Sequence, residues 1–245
     1  MDNLKSKITK FTSDLLFPKF CLGCQKEGNF LCEDCRELLD IASYQYCLCE
    51  NQPIRLSRDS KSGKCTKCQN RALFGLYFAL SYKEKALTRK LIYQFKYQPY
   101  LKNLAETFAS ILTEHFIKTG KNTNEVWENS VLLPVPLDKK KFKIRGYNQS
   151  EELAKELAKI IKIPALTDVL IKTKITKSQM ELSREDREKN LVGAFLVKTP
   201  KKISGKKVFL VDDVYTTGIT MQECASLLKK HGAKSIWGIA IAREG

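Results

Sequence analysis

The chain has no apolar run long enough to span a bilayer among its 245 residues. Its first residues lack the apolar core and small-residue cleavage site of a signal peptide, so the expected location is the cytoplasm. Histidine is scarce. Only His115 and His231 occur, on helical faces or ends that read as structural, and no Cys-His or Ser-His nucleophile pair is readable. A nucleotide-binding P-loop is missing too. Gly205-Lys206-Lys207 has neither the upstream Gly nor the following Ser/Thr that such a loop needs, which argues against an ATP-driven motor. Outside one short region cysteine is nearly absent: eight of nine lie between Cys21 and Cys68, and only Cys224 stands elsewhere. Cys224 shares a helical face with Leu227 and Leu228 and reads as a buried thiol.

Clustered cysteine pairs in a reducing compartment read as metal ligands rather than disulfides. Cys21-x2-Cys24-x7-Cys32-x2-Cys35 gives two knuckles, each pointing two thiolates at one tetrahedral zinc. Cys47-x-Cys49 and Cys65-x2-Cys68 form a second set with one pair a residue tighter than usual. Two sequential zinc ribbons are the expectation, with an interleaved arrangement or an iron–sulfur cluster left open by spacing alone. Four sulfurs close a coordination shell, so these sites are expected to be structural.

The net charge of +16 is uneven: residues up to Asn70 carry +2 and the rest +14. Eight thiolates and two Zn2+ would turn that +2 into about −2. The basic remainder suggests an anionic partner, phosphates first and single-stranded nucleic acid second. Residues 1–17 place Leu4, Ile8, Phe11, Leu15 and Leu16 at helical spacing, an amphipathic helix expected to dock on its own protein. The expected organisation is that helix, a zinc-ribbon module at 18–70, and an α/β domain at 71–245.

In the α/β part, strands are expected at Leu76–Tyr82, Val131–Val135, Val208–Val211 and Ile236–Ala242. They alternate with helices at Thr88–Tyr97, Leu104–Phe116, from a Ser150 cap onward, and at Met221–Lys230. That alternation implies a mainly parallel sheet with helices on both faces and ligands at the strand C-terminal ends.

Three segments carry chemistry. Val208–Val211 runs into Asp212 and Asp213, then into the small-residue loop Thr216, Thr217, Gly218, Ile219, Thr220 and a helix start. Backbone N–H groups at a helix N-terminus favour an anion, and Gly218 permits close approach. The two carboxylates can accept from sugar hydroxyls. A second loop holds Lys139–Lys141, read as a solvated basic stretch, and then Arg145, Asn148 and Gln149, favoured as donors to pyrophosphate. A third polar segment carries Lys172, Lys174, Gln179, Arg187 and Asn190, read either as a flap over a phosphosugar or as a charged surface helix.

The run of two acids before Thr-Thr-Gly-Ile-Thr220 resembles the phosphoribosyl-pyrophosphate (PRPP) signature of type I phosphoribosyltransferases. In order, Lys96-Tyr97, Pro134-Val-Pro136, Arg145-Gly-Tyr-Asn-Gln149, Gln179, Arg187-x2-Asn190 and the Asp212 loop, with cysteine pairs ahead of them, resemble the ComF family of late-competence proteins. The resemblance implies a type I phosphoribosyltransferase-like fold and a glycosyltransferase-type pocket for PRPP or a related phosphosugar. It places Asp212 and Asp213 on the ribose hydroxyls and Thr216, Thr217, Gly218 and Thr220 on the 5-phosphate. It implies Mg2+ held largely by the ligand's own oxygens. It further implies a role in DNA uptake during natural transformation, with single-stranded DNA and a helicase-type competence protein as partners. Two departures stand out: Lys172 and Lys174 where the family usually has Arg, and Cys47-Leu-Cys49-Glu50 in place of Cys-x2-Cys-Gly. Hypoxanthine-type salvage enzymes carry an acid where Thr216 stands, and a hydroxyl is no general base at neutral pH without activation. Two classes of function follow: a transferase with an unidentified acceptor, and a non-catalytic PRPP-sensing or single-strand-binding module.

Overall fold

The computed structural model describes residues 18–50, 52–82, 86–173 and 193–244. The expected helix at 1–17 lies outside them. Helix α1 (Glu33–Glu37) sits within the cysteine-rich segment. Strand β1 (Gly75–Ser81) leads to α2 (Ala86–Lys96), α3 (Leu104–Lys118) and the short α4 (Asn124–Trp127), then to β2 (Ser130–Pro134). Helices α5 (Lys139–Arg145) and α6 (Gln149–Ile161) precede a ribbon of β3 (Leu170–Lys172) and β4 (Phe195–Val197). Strand β5 (Lys207–Tyr215), α7 (Ile219–Lys230) and β6 (Ser235–Arg243) complete the chain.

The four longer strands form one parallel sheet in the order β1-β6-β5-β2. Each of its crossovers carries helices, as parallel pairing requires. One face buries Leu91, Ile92 and Phe95 of α2, Phe108 and Leu112 of α3, and Leu153 and Leu157 of α6 against Tyr77, Phe209, Val211 and Ile239. The other buries Met221, Cys224, Ala225 and Leu228 of α7 against Leu76, Val208, Leu210 and Ile236. Both faces are therefore covered, which explains the continuous apolar runs in β5 and β6. The buried thiol expected at Cys224 is found there.

The cysteine-rich segment has no core of its own. Leu31, Leu39 and Ile41 join the α3 side, while Leu48 joins the α7 side. It wraps the β1 edge of the sheet: Ala42 N–H donates to Ala79 carbonyl at 2.8 Å. His115, 1 % exposed, lies with its Nδ1 2.7 Å from the carbonyl of Ala42. Burial pulls its pKa down to about 4, so it is a neutral structural group at physiological pH.

Three local expectations are corrected. Strand β5 does not stop at Val211; it pairs with β6 through Val214 and Tyr215. Helix α6 is capped by Asn148, whose side chain accepts from Ser150 N–H at 3.1 Å, and Ser150 lies inside the first turn. The basic run Lys139–Arg145 is a helix rather than a loop, capped by Asp138 and closed by Gly146 at φ 80°. None of its residues is buried, so it has no apolar stripe to betray it.

Candidate functional site

The site begins where two neighbouring strands differ in length. Strand β2 pairs with β5 only as far as Pro134 opposite Val211, and Val135 N–H adds one last bond to Val211 carbonyl. Strand β6 continues beside β5 to Tyr215. Asp212 to Tyr215 thus keep one paired edge and one open edge. The first turn of α6 enters that opening.

There it meets the two carboxylates. Gln149 Nε2 donates to Asp213 Oδ2 at 2.9 Å, and Ser150 Oγ donates to Asp212 Oδ1 at 2.9 Å. From α2, Lys96 Nζ pairs with Asp213 Oδ1 at 2.8 Å. The buried Tyr147 hydroxyl donates to Phe95 carbonyl, which fixes the end of α2 against the turn before α6. Backbone N–H groups of Asp213 and Val214 complete the cradle, on Asp212 Oδ1 and Asp213 Oδ1 respectively.

The two acids are therefore in different electrostatic states. Burial pushes Asp213 up, but the Lys96 charge and the donors around it win and hold it below the usual carboxylate range. Burial, followed by the Asp213 charge, pushes Asp212 up to about 7. Burial alone would lower Lys96, yet its pairing with Asp213 raises it, so it stays charged. Asp213 is thus a fixed anion, and Asp212 is the carboxyl that is easy to protonate.

Immediately beyond, Gly218 adopts φ 72° and caps α7. It is required twice over. The left-handed backbone disfavours a side chain, and an added Cβ would lie 2.2 Å from the Tyr215 hydroxyl oxygen. Thr216, Thr217 and Thr220 are half-buried around this turn. The N-cap of α7, Gly218, thus stands five residues after Asp213, and backbone N–H groups at a helix N-terminus suit an oxyanion.

The remaining expected donors are distributed as follows. Asn148 is buried, caps α6 and donates to Val135 carbonyl at 3.0 Å. Lys96 and Gln149 are engaged with Asp213. Arg145 ends α5, its guanidinium 5.8 Å from the Tyr97 ring centroid, with Nη1 buried and lacking a hydrogen-bond partner. Gln179, Arg187 and Asn190 lie outside the described residues. The segment that contains them leaves from β3 and returns at β4, and Thr173 N–H donates to Ala194 carbonyl at 2.8 Å where its ends meet. Sequence reasoning missed Ser150 as a partner of Asp212, and it missed Tyr215, Arg71 and Arg243, which support the loop from below.

Both cysteine sets converge as expected, in sequence rather than interleaved. Cys21, Cys24, Cys32 and Cys35 form one group, and Cys47, Cys49, Cys65 and Cys68 the other, with each group's sulfurs within 4.8 Å of one another. A tetrahedral Zn–S4 centre separates its sulfurs by about 3.8 Å. Cys24–Cys32, Cys49–Cys65 and Cys65–Cys68 measure 3.5, 3.6 and 3.7 Å. Backbone N–H groups of Cys32 and Ile54 point at the sulfurs of Cys21 and Cys47. The donor set and spacing fit a thiolate-bound metal such as zinc, and Cys47 and Cys49 both belong to the second group despite their short spacing. Among the described residues no helix is long and apolar enough to cross a membrane.

A phosphoribosyl transferase domain model matches residues 148–244. The chain is 37 % identical over 129 residues to competence protein F of Haemophilus influenzae, covering 51 % of this chain and 56 % of that protein. It is 34 % identical over 105 residues to DNA utilization protein YhgH of Escherichia coli K12, covering 43 % and 45 %. With competence protein ComFC of Streptococcus pneumoniae it shares 30 % identity over 142 residues, covering 57 % and 56 %. The chain thus spans about half the length of the curated relatives it matches. Among solved structures, the glutamine PRPP amidotransferase from B. subtilis aligns at TM-score 0.34 and 21 % identity, over 56 % of this chain and 25 % of that one.

Proposed function

We propose that the chain is a ComF-family, phosphoribosyltransferase-like protein and that it binds PRPP or a related phosphosugar with Mg2+ in the service of DNA uptake. The observation that carries this reading is the end of β5. A cradled pair of carboxylates runs directly into a left-handed glycine that opens a helix, so sugar-hydroxyl acceptors and anion donors stand side by side. In this reading Thr216, Thr217, Gly218 and Thr220 receive the 5-phosphate. Asp212 accepts from a ribose hydroxyl, and Asp213 holds Lys96 and shares the second hydroxyl. The unpartnered Arg145 Nη1 is the donor available to pyrophosphate. Mg2+ would supply charge neutralisation of the pyrophosphate and be held mainly by the ligand and water. The two cysteine groups would each hold one structural Zn2+.

Transferase activity predicts pyrophosphate release from PRPP that requires an acceptor and disappears in Asp213→Ala. Tight PRPP binding without release across nucleobase and DNA acceptors would instead mark a binding module. A specific feature favours testing DNA as a partner. Tyr93 and Tyr97 are exposed at 56 % and 43 %, their rings 4.9 Å apart, with the Arg145 guanidinium 5.8 Å from the Tyr97 ring centroid. Aromatic faces flanked by cations suit single-stranded bases. Binding that weakens steeply with salt, and weakens further in Tyr97→Ala, is the expected result. Salt-insensitive or absent binding would remove DNA from the reading, and with it any recruitment by a helicase-type partner through the strand.

A further inference from the structure

The two cysteine clusters are mounted differently. The first is tied to α3: Arg36 donates to Ser110 Oγ at 3.1 Å and pairs with Glu114 at 2.9 Å. Both halves of the second run to the turn that holds Gly218. Directly after the Cys65–Cys68 knuckle, Arg71 donates from Nη1 to the Tyr215 hydroxyl at 3.2 Å and from Nη2 to Glu50 at 3.0 Å. The next two N–H groups, of Ala72 and Leu73, both donate to Gln222 Oε1 in the first turns of α7, at 2.9 and 3.2 Å. On the other half, Arg243 donates to Cys47 carbonyl at 2.8 Å and to Cys49 carbonyl. Its guanidinium, in a residue 2 % exposed, lies 5.8 Å from the Tyr215 ring centroid. The Tyr215 ring, 1 % exposed, packs directly beneath Gly218.

We infer that Arg71, Arg243 and Gln222 are positioning residues for the Thr216–Thr220 turn, and that a metal in the second cysteine cluster, not the first, is linked to the affinity of that turn for its ligand. The inference rests on the phosphate-binding reading above. The physical cause is charge as much as shape. A metal-bound four-thiolate group carries a net negative charge, and it lies against the buried Arg243 cation. Removing the metal and loosening the knuckles would leave that cation with weaker compensation and would release the carbonyls that hold it. Tyr215 would lose its support, and the ring beneath Gly218 would no longer define where the first N–H groups of α7 point. Linkage is reciprocal, so ligand in the turn must also tighten the second metal.

The test uses the whole 245-residue chain loaded with zinc. Zinc is displaced with an organomercurial thiol reagent and followed with a metallochromic dye, with and without PRPP plus Mg2+, while PRPP affinity is measured by calorimetry. PRPP is expected to slow release of one of the two zinc ions about fivefold or more. In a Cys32→Ser background, which removes the first site, the protected phase should remain. Arg71→Met should weaken PRPP about fivefold and erase the protection. Tyr215→Phe, which keeps the ring and loses the hydroxyl that meets Arg71 and Gln222, should weaken it about threefold, and Arg36→Met should change neither readout. Should wild type bind PRPP while both zinc ions leave at unchanged rates and Arg71→Met binds as wild type, the linkage is overturned and the phosphate site stands. Absence of PRPP binding in wild type would overturn the phosphate reading, and the linkage with it.

Discussion

The two faces of the sheet reach the end of β5 with different chemistry. From the α2–α3–α6 face come Lys96, Gln149 and Ser150, all of them directed at the carboxylates of Asp212 and Asp213. From the α7 face come Arg71, Arg243 and Gln222, which leave the acids alone and brace Tyr215 and the start of α7. One face sets the protonation and aim of the sugar acceptors. The other sets the backbone that would grip the phosphate. Damage to either face should therefore leave a distinct signature, and each of the following tests asks whether that separation holds.

The largest effect is expected on the acid side. Asp213→Ala strands the Lys96 ammonium among buried groups, so urea denaturation should show a loss of about 3–5 kcal/mol. Asp212→Asn removes a carboxyl already pushed toward neutrality, so its fold should be as stable as wild type or slightly more so. Equal losses for the two would break the assignment of different roles. On the loop side, Gly218→Ala meets both a left-handed backbone and the Tyr215 ring. It should cost about 1–3 kcal/mol, with loss of ligand affinity but no change in the Asp212 pKa.

A smaller effect concerns pH. Asp212 has its pKa raised to about 7, so it is mostly carboxylate above that value and mostly neutral below it. As an acceptor it therefore weakens as pH falls. Comparing ribose 5-phosphate with 2-deoxyribose 5-phosphate cancels the ionisation of the phosphate itself. The preference for the ribose ligand should drop by up to about tenfold between pH 8 and pH 6. A constant ratio would mean that Asp212 does not hold that hydroxyl. The smallest effect belongs to the first cysteine cluster's own anchor. Arg36→Ala breaks a partly exposed pair with Glu114 and should cost less than about 1 kcal/mol, with ligand affinity unchanged.

What could be read in advance followed from local pattern. Apolar runs alternating with amphipathic helices implied the parallel sheet, and the Asp-Asp and Thr-Gly-Ile-Thr stretch marked the candidate site from its residues alone. Cysteine spacing divided the eight clustered cysteines into two groups as found. The misses have tertiary causes. Strand β5 looked finished at Val211 because two adjacent carboxylates interrupt its apolar run, yet β6 pairs with it to Tyr215. Phe142 and Ile144 gave α5 no buried stripe, both being exposed, so its helicity depends on the caps Asp138 and Gly146. The three-residue strands β3 and β4 are too short to show a period. Arg243 closes a strand more than 190 residues from the cysteine carbonyls it holds, and no local signal connects the two.

The central claim is that the end of β5 is a phosphosugar site, and calorimetric titration of PRPP with Mg2+ into wild type and Asp212→Ala tests it most directly. The structure predicts saturable binding of one PRPP per chain to wild type and none measurable to a variant that is still folded. Absence of binding to wild type, or equal binding to both proteins, would contradict it.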